Sequence, residues 1–523
     1  MLAKIQTSSI LGVDAQPVSV EIYIRWGQLP CFLTVGLPDT AVRESKERIF
    51  AALSHSGYRV PPAKITINLA PADVRKEGSS FDLPIAVGLL SAMEILPDRE
   101  YPDTLIIGEL SLDGDIRPVR GVLPVAAGAK KHGWKRMIVP IENAPEASFV
   151  DGLTVYGVRN LQEVIQILNH EDIIEPFDKT PFQNREIERN TDIDFFDVKG
   201  QEHAKRAMEV AAAGGHNIIL IGPPGSGKTM LTRRLPTILP ALSLEEALEI
   251  SKIHSISGLI DPGQGLVFTR PFRAPHHSIS DAGLIGGGSY PMPGEVSLAH
   301  HGVLFLDEMP EFRRHVLEVM RQPLEDGIVT LTRAQASVTY PSRFMLVGAM
   351  NPCPCGYYSH PEKTCLCRPD IIAKYLGRIS GPLLDRIDLH IEVNAVKFND
   401  LQDRRRGESS KSIRERVEAA RKIQQTRFSE SASSNGNLIS HCNSHMSSRE
   451  IRTYCKLNSD GYRLMEHAMK RLGLTARAYD RILKVARTIA DLADSETIES
   501  HHLAEAIQYR ALDRSHWTQA HTY

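Results

Sequence analysis

One glycine-rich segment constrains this chain more than any other. It follows the apolar run from Asn217 to Ile221 and reads Gly222-Pro223-Pro224-Gly225-Ser226-Gly227-Lys228-Thr229. A strand, a glycine loop and the first turn of a helix together direct backbone N–H groups toward phosphate oxygens, so the segment predicts a nucleotide site. Within it, we expect Lys228 to reach the β- and γ-phosphates and Thr229 to ligate Mg²⁺. A chance glycine-rich turn is the alternative, and the preceding strand argues against it.

Two further strand ends carry the polar groups that nucleotide hydrolysis requires. The apolar run Val303–Leu306 ends in Asp307 and Glu308, and the run 344–350 ends in Asn351. Downstream of a phosphate-binding loop, Asp307 is expected to hold Mg²⁺ and Glu308 to polarise a water molecule toward the γ-phosphate. Asn351 is placed to orient that water. Taken alone, an acidic pair after a strand marks a solvated loop, and an Asn before a proline is a common turn former.

Length and composition exclude several classes of protein. The 523 residues are 42% hydrophobic and 24% charged, which suits a globular protein of about three domains. No apolar run reaches the roughly 20 residues that cross a bilayer, and the N-terminus lacks the apolar stretch and cleavage site of a secretory signal. We therefore expect a cytoplasmic protein that does not enter a membrane.

The chain divides by pattern into five parts. Short strand-like runs alternate with helical stretches over 1–170, which favours a mixed α/β domain, and 171–193 is interpreted as a linker. Apolar strands separated by helical segments over 194–395 predict a parallel αβα sheet. A basic helix and a Ser/Asn-rich loop follow over 396–448, and 449–515 is expected to be helical.

The net charge conceals an uneven distribution. The whole chain carries a formal charge of −2, but residues 401–490 hold 19 Lys and Arg against 9 Asp and Glu. Basic side chains that bind DNA phosphates do so without sequence preference. The candidates here are Arg404, Arg405 and Arg406, followed by Arg414, Arg416, Arg421 and Lys422. A solvated basic face is the alternative interpretation.

These motifs together resemble a known family. The segments GPPGSGKT, VLFLDE, LLDRIDLH and TARAYDRILKVARTIADL, with RPFRAPHHSISDAGLIGGG, are similar to the magnesium-chelatase-like AAA+ ATPases and most of all to their ComM (YifB) branch. The resemblance implies an αβα P-loop core with a C-terminal helical lid, ATP and Mg²⁺ as cofactors, and a homo-hexameric ring. It also implies a motor on single-stranded or branched DNA, a branch-migration helicase in recombination and natural transformation. A chelatase-type ATPase that remodels a protein partner is the alternative.

The same resemblance implies roles for individual residues. Asn351 corresponds to sensor 1, Arg386 in LLDRIDLH to the arginine finger, and Arg477 in LTARAYDR to the sensor 2 arginine of the lid. Arg378 and Arg481 are the nearest competitors for the two arginine roles, and surface ion pairing is the alternative for all of them. Family members also carry a β-hairpin before the sensor strand. Here the runs 328–331 and 337–340 predict that hairpin with Arg333 at its tip, either contacting DNA phosphates or solvated.

The N-terminal part resembles a protease domain whose catalytic pair is incomplete. Residues 76–86 and 108–121 are similar to the catalytic domain of Lon proteases, an α+β fold of the ribosomal-S5-like type. Ser80 occupies the place of the nucleophile, which in Lon is activated by a lysine. The corresponding lysine position falls on Leu123, and Lys130 and Lys131 lie about two helical turns beyond. We therefore expect a scaffold or DNA-contacting domain, with an ATP-dependent Lon-like protease as the less favoured alternative.

Four of the seven cysteines lie close together in sequence. They are Cys353, Cys355, Cys365 and Cys367, directly after Asn351. Four thiolates that converge in a Gly/Pro-rich loop can ligate a structural Zn²⁺ ion tetrahedrally, although the C-x-C spacing is not the usual C-x₂-C. Unligated thiols in a tight loop are the alternative.

Overall fold

The chain folds into two compact units that each combine discontinuous segments. The computed structural model describes residues 1–27, 29–170, 174–180, 193–288, 290–333, 337–358, 360, 362–395, 407–432 and 442–510. The first unit comprises Met1–Glu188, Ser243–Phe268 and Thr332–Tyr340, and the second comprises Arg189–Leu242, Thr269–Leu331 and Pro341–Tyr523. The predicted fold class, mixed α/β with a parallel core sheet and a helical C-terminal part, is confirmed. The predicted domain boundaries remain predictions.

The first unit is built on a seven-stranded mixed sheet. In chain order its strands are β1 (Leu2–Leu11), β2 (Asp14–Arg25), β3 (Cys31–Val35), β4 (Lys64–Ala70), β5 (Glu100–Ile106), β6 (Arg136–Pro140) and β7 (Thr154–Val158). They lie in the order β3-β4-β2-β1-β5-β6-β7. In β4 the residues Ile65, Ile67 and Leu69 are buried and alternate with more accessible neighbours, because successive side chains of a strand face opposite sides. In β6 the buried Ile138 belongs to one cluster of buried residues and its neighbours Met137 and Val139 to another, so both faces of the sheet are packed.

Helices pack against both faces of the first sheet. They are α1 (Thr40–His55), α2 (Asp82–Ala92), α3 (Val122–Lys131), α4 (Ala144–Ser148) and α5 (Leu161–Leu168), with a further helix at Leu244–Ser257 and 3₁₀ turns at Ser79–Phe81 and Ile141–Asn143. Every residue of α2 is buried, so this helix lies inside the unit rather than on its surface. Short strands lie at Glu109–Leu110 and Ile116–Arg117.

The second unit contains a five-stranded parallel sheet. Its strands in chain order are β8 (Ile218–Ile221), β9 (Phe272–Arg273), β10 (Val303–Leu306), β11 (Met345–Met350) and β12 (Leu389–Glu392), arranged β9-β10-β11-β8-β12. All four neighbouring pairs run parallel. The strands β8, β10 and β11 are buried along their whole length, as expected for a parallel sheet with helices on both faces. The predicted apolar strands at these positions are therefore confirmed.

Helices make up the rest of the second unit. In chain order they are α6 (Glu202–Gly214), α7 (Lys228–Ile238), α8 (Asp281–Ile285), α9 (Glu295–Leu298), α10 (Arg314–Val319), α11 (Arg321–Asp326), α12 (Pro369–Leu376), α13 (Gly381–Leu384), α14 (Ser410–Ala432), α15 (Ser448–Tyr454), α16 (Ser459–Leu472), α17 (Ala476–Leu492) and α18 (Ser500–Gln508). Smaller elements are 3₁₀ turns at Phe195–Asp197, Met309–Glu311 and Asn443–His445 and strands at Gly286–Gly287, Met292–Pro293 and Ile328–Thr332. A further strand, Ser337–Pro341, belongs to the first unit except for its last residue. In the described C-terminal part beyond Ser410, every regular element is helical. None of the helices in the described ranges has both the length and the apolarity to cross a bilayer.

Candidate nucleotide-binding site

Three polar segments meet at one edge of the parallel sheet in the second unit. The glycine loop follows β8, Asp307 follows β10, and Asn351 follows β11. Because β10, β11 and β8 are neighbours and parallel, their carboxyl ends lie side by side. This edge is where open α/β sheets bind ligands.

The glycine loop has a backbone that other residues would distort. Gly225 and Gly227 have φ angles of 75° and 88°, in the left-handed region that glycine adopts without strain. At Gly222 a β-carbon would collide with the carbonyl oxygen of Val393. The loop leads directly into α7, which begins at Lys228. Its N–H groups are therefore available at a helix N-terminus, where anions bind.

Lys228 is held between the glycine loop and Asn351. Its side-chain amine donates to the carbonyl oxygens of Gly222 at 2.8 Å and Pro223 at 2.9 Å, and lies 3.2 Å from Oδ1 of Asn351. Burial lowers the pKa of Lys228 to about 8, although the carboxylates of Asp307 and Glu308 act in the opposite direction. The negative charge of a bound phosphate group would raise this pKa again.

Thr229 and Asp307 meet where the predicted Mg²⁺ site lies. The Thr229 hydroxyl donates to Oδ2 of Asp307 at 2.9 Å, and the backbone N–H of Glu308 donates to the other carboxylate oxygen at 3.0 Å. A hydroxyl and a carboxylate in contact at the end of a phosphate-binding loop match the oxygen ligands that Mg²⁺ prefers. The donor set therefore fits the ion.

Glu308 lies beside a histidine that the sequence analysis left unassigned. Its φ angle is 50°, and Nδ1 of His277 lies 3.8 Å from its carboxylate. The sequence feature at this position is the adjacent pair His276 and His277, whose spacing is not typical of metal ligands. His277 is therefore a neighbour of Glu308, the carboxylate that is expected to polarise water.

Two of the candidate arginines, Arg386 and Arg378, form ion pairs with glutamates. Arg386 pairs with Glu325, and this pairing lowers the pKa of that carboxyl, with Arg477 and Arg481 adding to the effect. Arg477 itself is exposed. Arg378 pairs with Glu311 at 2.8 Å. The structure therefore gathers Arg386, Arg477 and Arg481 around one acid and keeps Arg378 apart from them.

Asp388, which directly precedes β12, connects this part of the chain to helix α17. It is buried between Nδ1 of His216 at 3.3 Å and the guanidinium of Arg481, and it accepts the backbone N–H of Asn217 at 3.1 Å. Burial alone would raise the pKa of Asp388, but Arg481 and His216 outweigh it and hold the pKa well below its usual range. His216 also contacts the Thr488 hydroxyl at 2.8 Å. This network occupies Arg481 with a structural partner.

The basic helix α14 uses its arginines for packing. Arg416 pairs with Glu209 at 2.5 Å and with Glu408 at 2.8 Å. Arg421 donates to the carbonyl oxygen of Ala212 at 2.9 Å, and Arg414 donates to that of Thr237 at 3.2 Å. Each of these three arginines therefore has a partner within the fold, and Arg416 and Lys422 are also exposed. Arg404, Arg405 and Arg406 lie outside the described residues.

The predicted hairpin segment has strands at both expected positions. Strands lie at Ile328–Thr332 and Ser337–Pro341, and the hydroxyls of Thr332 and Ser337 are 3.3 Å apart, so the chain reverses between them. Arg333 directly follows the first strand and is exposed. The tip residues 334–336 lie outside the described residues.

The four cysteine sulfurs converge. Cys353 lies 3.3 Å from Cys355 and 3.7 Å from Cys365, and the sulfurs of Cys355 and Cys365 are 3.6 Å apart. Together with Cys367 they lie within 4.8 Å of one another, and none forms a disulfide. Tetrahedral zinc with Zn–S bonds of roughly 2.3 Å places its sulfurs about 3.8 Å apart. The residues therefore fit a zinc site.

The Ser80 segment of the first unit lacks a lysine partner for the serine. Leu123 is fully buried in α3, whereas Lys130 and Lys131 are exposed. Lys76, which precedes Ser80 by four residues, is buried and donates to the carbonyl oxygen of Pro71. Among the described residues, no lysine hydrogen-bonds to Ser80.

Comparison with known proteins gives matches along almost the whole chain. Three family models match: subunit ChlI of magnesium chelatase over residues 20–143, magnesium chelatase subunit ChlI over 194–401, and its C-terminal part over 407–510. The protein YifB of Escherichia coli is 44% identical over 514 residues, 98% of each chain. The competence protein ComM of Haemophilus influenzae is 43% identical over 526 residues, again 98% of each chain.

Two other proteins match about a fifth of the chain. Lon protease 2 of Bacillus subtilis is 32% identical over 123 residues, which are 23% of this chain and 22% of that protein. The DNA repair protein RadA of Escherichia coli is 29% identical over 116 residues, which are 22% of this chain and 24% of that protein. The Lon match supports the resemblance that residues 76–121 carry.

Proposed function

Because the chain belongs to the YifB and ComM family of magnesium-chelatase-like AAA+ ATPases, we propose that it is an ATP-driven ring motor that acts on DNA. One observation carries the ATPase part of this proposal. Lys228, Asn351 and the Thr229–Asp307 pair meet at the carboxyl edge of the sheet. A cation for phosphate, two oxygen ligands for Mg²⁺ and an amide for water are the parts that phosphoryl transfer needs.

Each residue of the site has a distinct task in the proposed reaction. The loop N–H groups and Lys228 bind the β- and γ-phosphates, and Thr229 and Asp307 hold the metal. Bound Mg²⁺ would supply charge neutralisation on the phosphate oxygens. Glu308 accepts a proton from the attacking water, which Asn351 orients toward the γ-phosphate. His277 lies close enough to Glu308 to adjust the orientation of its carboxylate.

Arg386 and Arg477 complete the site when subunits assemble. A guanidinium remains charged at every working pH and neutralises charge on the transferring phosphoryl group. In the single chain, Arg386 pairs with Glu325. In a homo-hexamer, Arg386 exchanges this carboxylate for the γ-phosphate bound by the neighbouring subunit, and Arg477 reaches the nucleotide of its own chain from the lid. Head-to-tail contacts of this type close into rings.

DNA is the proposed substrate, and branch migration during recombination is the proposed task. Support comes from the full-length similarity to a competence protein and the partial similarity to a DNA repair protein. Arg333, exposed after a strand, and Arg404, Arg405 and Arg406 are the proposed phosphate contacts. Contacts of this kind bind the backbone and are weakened by salt.

The test is ATP hydrolysis with and without forked or single-stranded DNA. We expect DNA to stimulate turnover and the stimulation to fall steeply as salt rises, since each phosphate contact releases counterions. The Glu308→Gln protein is the control: it should bind ATP and DNA but not hydrolyse. Turnover that DNA leaves unchanged at low salt would overturn the DNA part and favour a motor that remodels a protein partner.

We also propose that Cys353, Cys355, Cys365 and Cys367 hold one structural Zn²⁺ ion. The support is the spacing of the sulfurs given above. Elemental analysis of protein purified without chelator should find about one zinc per chain. Less than half that amount contradicts the site.

A further inference from the structure

The cysteine cluster lies inside the loop that joins strand β11 to helix α12. Cys353 follows Asn351 by two residues, and Cys367 precedes α12 by two residues. The four thiols therefore bring together two ends of a loop whose first residue is Asn351 itself. Anything that holds the thiols in place also limits the freedom of that residue.

Two contacts join this loop to the nucleotide site, and a third joins its first residue to α12. The Asn351 side chain lies 3.2 Å from the Lys228 amine. The hydroxyl of Tyr375, in α12, interacts with the backbone of Asn351. Gly356, between the two cysteine pairs, lies so close to the phosphate loop that a β-carbon there would be 2.7 Å from Cγ of Pro224. The loop thus contacts both the residue that orients water and the loop that binds phosphate.

The loop backbone is arranged around the sulfurs. The N–H of Tyr358 donates to the sulfur of Cys353 at 3.3 Å, and the N–H of Cys367 donates to that of Cys365 at 3.4 Å. The N–H of Gly356 donates to the Cys353 carbonyl oxygen at 2.9 Å, which closes a tight turn in which Gly356 has a φ of 83°. Such N–H donors stabilise sulfur that carries negative charge. Four thiolates at these separations repel one another unless they share a cation.

We infer that the four thiols, when they share a cation, brace Asn351 and Pro224, so that metal occupancy controls the rate of ATP hydrolysis. The inference rests on the proposed ATPase function. Orientation of water by Asn351 matters in the transition state, whereas phosphate binding by Lys228 and the loop N–H groups matters already in the ground state. Loss of the metal should therefore lower kcat much more than it weakens ATP binding.

The first experiment removes the metal reversibly from the intact wild-type protein. Treatment with a mercurial and a chromogenic chelator should release about one zinc per chain. We expect kcat to fall about tenfold or more, and the Kd for ATP, measured by equilibrium binding, to change less than about threefold. Reloading with Zn²⁺ should restore kcat, and reloading with Co²⁺ should give the visible absorption of tetrahedral cobalt thiolate.

Two variants separate bracing from simple unfolding. Gly356→Ala keeps all four thiols but places a β-carbon against Pro224 and strains a turn with a φ of 83°. It should lose kcat about tenfold, and its zinc content, measured alongside, shows whether the metal stays bound when the contact with Pro224 is disturbed. Cys365→Ser should lose zinc and kcat together, and Cys31→Ser, which removes an exposed cysteine of the first unit, should change neither. Circular dichroism shows whether each variant is folded. If Cys365→Ser does not fold, the reversible removal of metal from the wild-type protein still tests the inference.

The outcomes distinguish this inference from the functions on which it rests. If metal-free protein hydrolyses ATP within about twofold of the loaded protein, or Gly356→Ala is fully active, the bracing inference is wrong and the ATPase proposal stands. If no zinc is released, both the metal site and the inference fail. If the zinc-loaded wild-type protein does not hydrolyse ATP at all, it is the proposed function that fails.

Discussion

Two regions of this molecule carry motifs of catalytic sites, and they use buried charge in opposite ways. In the nucleotide site, burial lowers the pKa of Lys228 to about 8, and its amine contacts main-chain oxygens, the Ser226 hydroxyl and the Asn351 amide. In the Ser80 region, Asp82 is fully buried and pairs with Arg48 through two hydrogen bonds of 2.7 and 3.0 Å. The Lys228 amine is placed to bind an anionic ligand, whereas the Asp82 carboxylate is already paired with the guanidinium of Arg48.

The difference follows from the partners that surround each group. Lys76 donates to Pro71, Ser79 pairs with Glu109, and Leu123, at the position that the resemblance to Lon assigns to the lysine, is apolar and buried. A group whose bonding capacity is used within the fold contributes to stability but has nothing left for a substrate. The charged and polar groups around Ser80 are therefore paired within the fold.

The largest effect should come from Glu308→Gln. An amide cannot accept the proton of the attacking water, so we expect kcat to fall by about two orders of magnitude or more while ATP still binds. Steady-state hydrolysis and equilibrium binding of ATP measure the two properties. The isosteric Glu311→Gln, on the adjacent 3₁₀ turn, is the matched control and should remain active. If Glu308→Gln retains more than a tenth of wild-type turnover, Glu308 is not the group that accepts the proton, and the nucleotide site no longer differs from the Ser80 region in this respect.

The next effect concerns the stability of the first unit. Burial raises the pKa of Asp82 to about 6, despite the opposing effect of Arg48. Between pH 4 and 6 the folded unit then binds more protons than the unfolded chain, so Asp82 makes the unit less stable as pH rises through this range. Relative to Asp82→Asn, the wild-type protein should lose about 2–3 kcal/mol of unfolding free energy between pH 4 and 7.

Tryptophan fluorescence can follow this unfolding in urea. Trp26 and Trp134 both belong to the first unit, and a Trp517→Phe background removes the third tryptophan, which lies outside the described residues. If the difference in unfolding free energy between the wild-type and Asp82→Asn proteins is the same at pH 4 and pH 7, the pKa of Asp82 is not raised in the folded unit. The nucleotide affinity should not respond to the substitution.

A third effect should appear in the pH dependence of ATP binding. Below a pH of about 8 the Lys228 amine is already charged, but above it the empty site must take up a proton when phosphate binds. Affinity should therefore weaken toward tenfold per pH unit above pH 8. Calorimetry in buffers with different ionisation enthalpies measures the proton uptake directly. Lys228→Arg, which stays charged, should bind more weakly overall and show no uptake; uptake in that variant would assign the proton to another group.

The smallest effect should be that of Ser80→Ala. Because no lysine in the described residues contacts Ser80, we expect ATP turnover and DNA stimulation to stay within about twofold of wild type. The wild-type protein should not cleave casein, with or without ATP. Robust cleavage that Ser80→Ala abolishes would show that the first unit is an active protease. Both regions would then be catalytic sites.

The sequence predicted the parts of the nucleotide site that are local. An apolar run followed by glycines, acids or an amide marks a strand end, and parallel strands bring such ends to one edge. Gly222–Thr229, Asp307 and Asn351 could therefore be assembled without a structure. The partners of the long basic side chains could not, because Arg416 is separated from Glu209 by 207 residues and Arg481 from Asp388 by 93.

What the sequence alone determined is the chemistry available: a phosphate loop, acids, an amide, four clustered thiols, and a serine without its lysine. What only the tertiary structure decided is which of these groups are already paired. It paired Arg416 with Glu209 and Arg386 with Glu325, and it set Gly356 against Pro224. The physical reason is range. Backbone conformation depends on near neighbours in the chain, whereas ion pairs and close contacts depend on what the fold brings within about 4 Å.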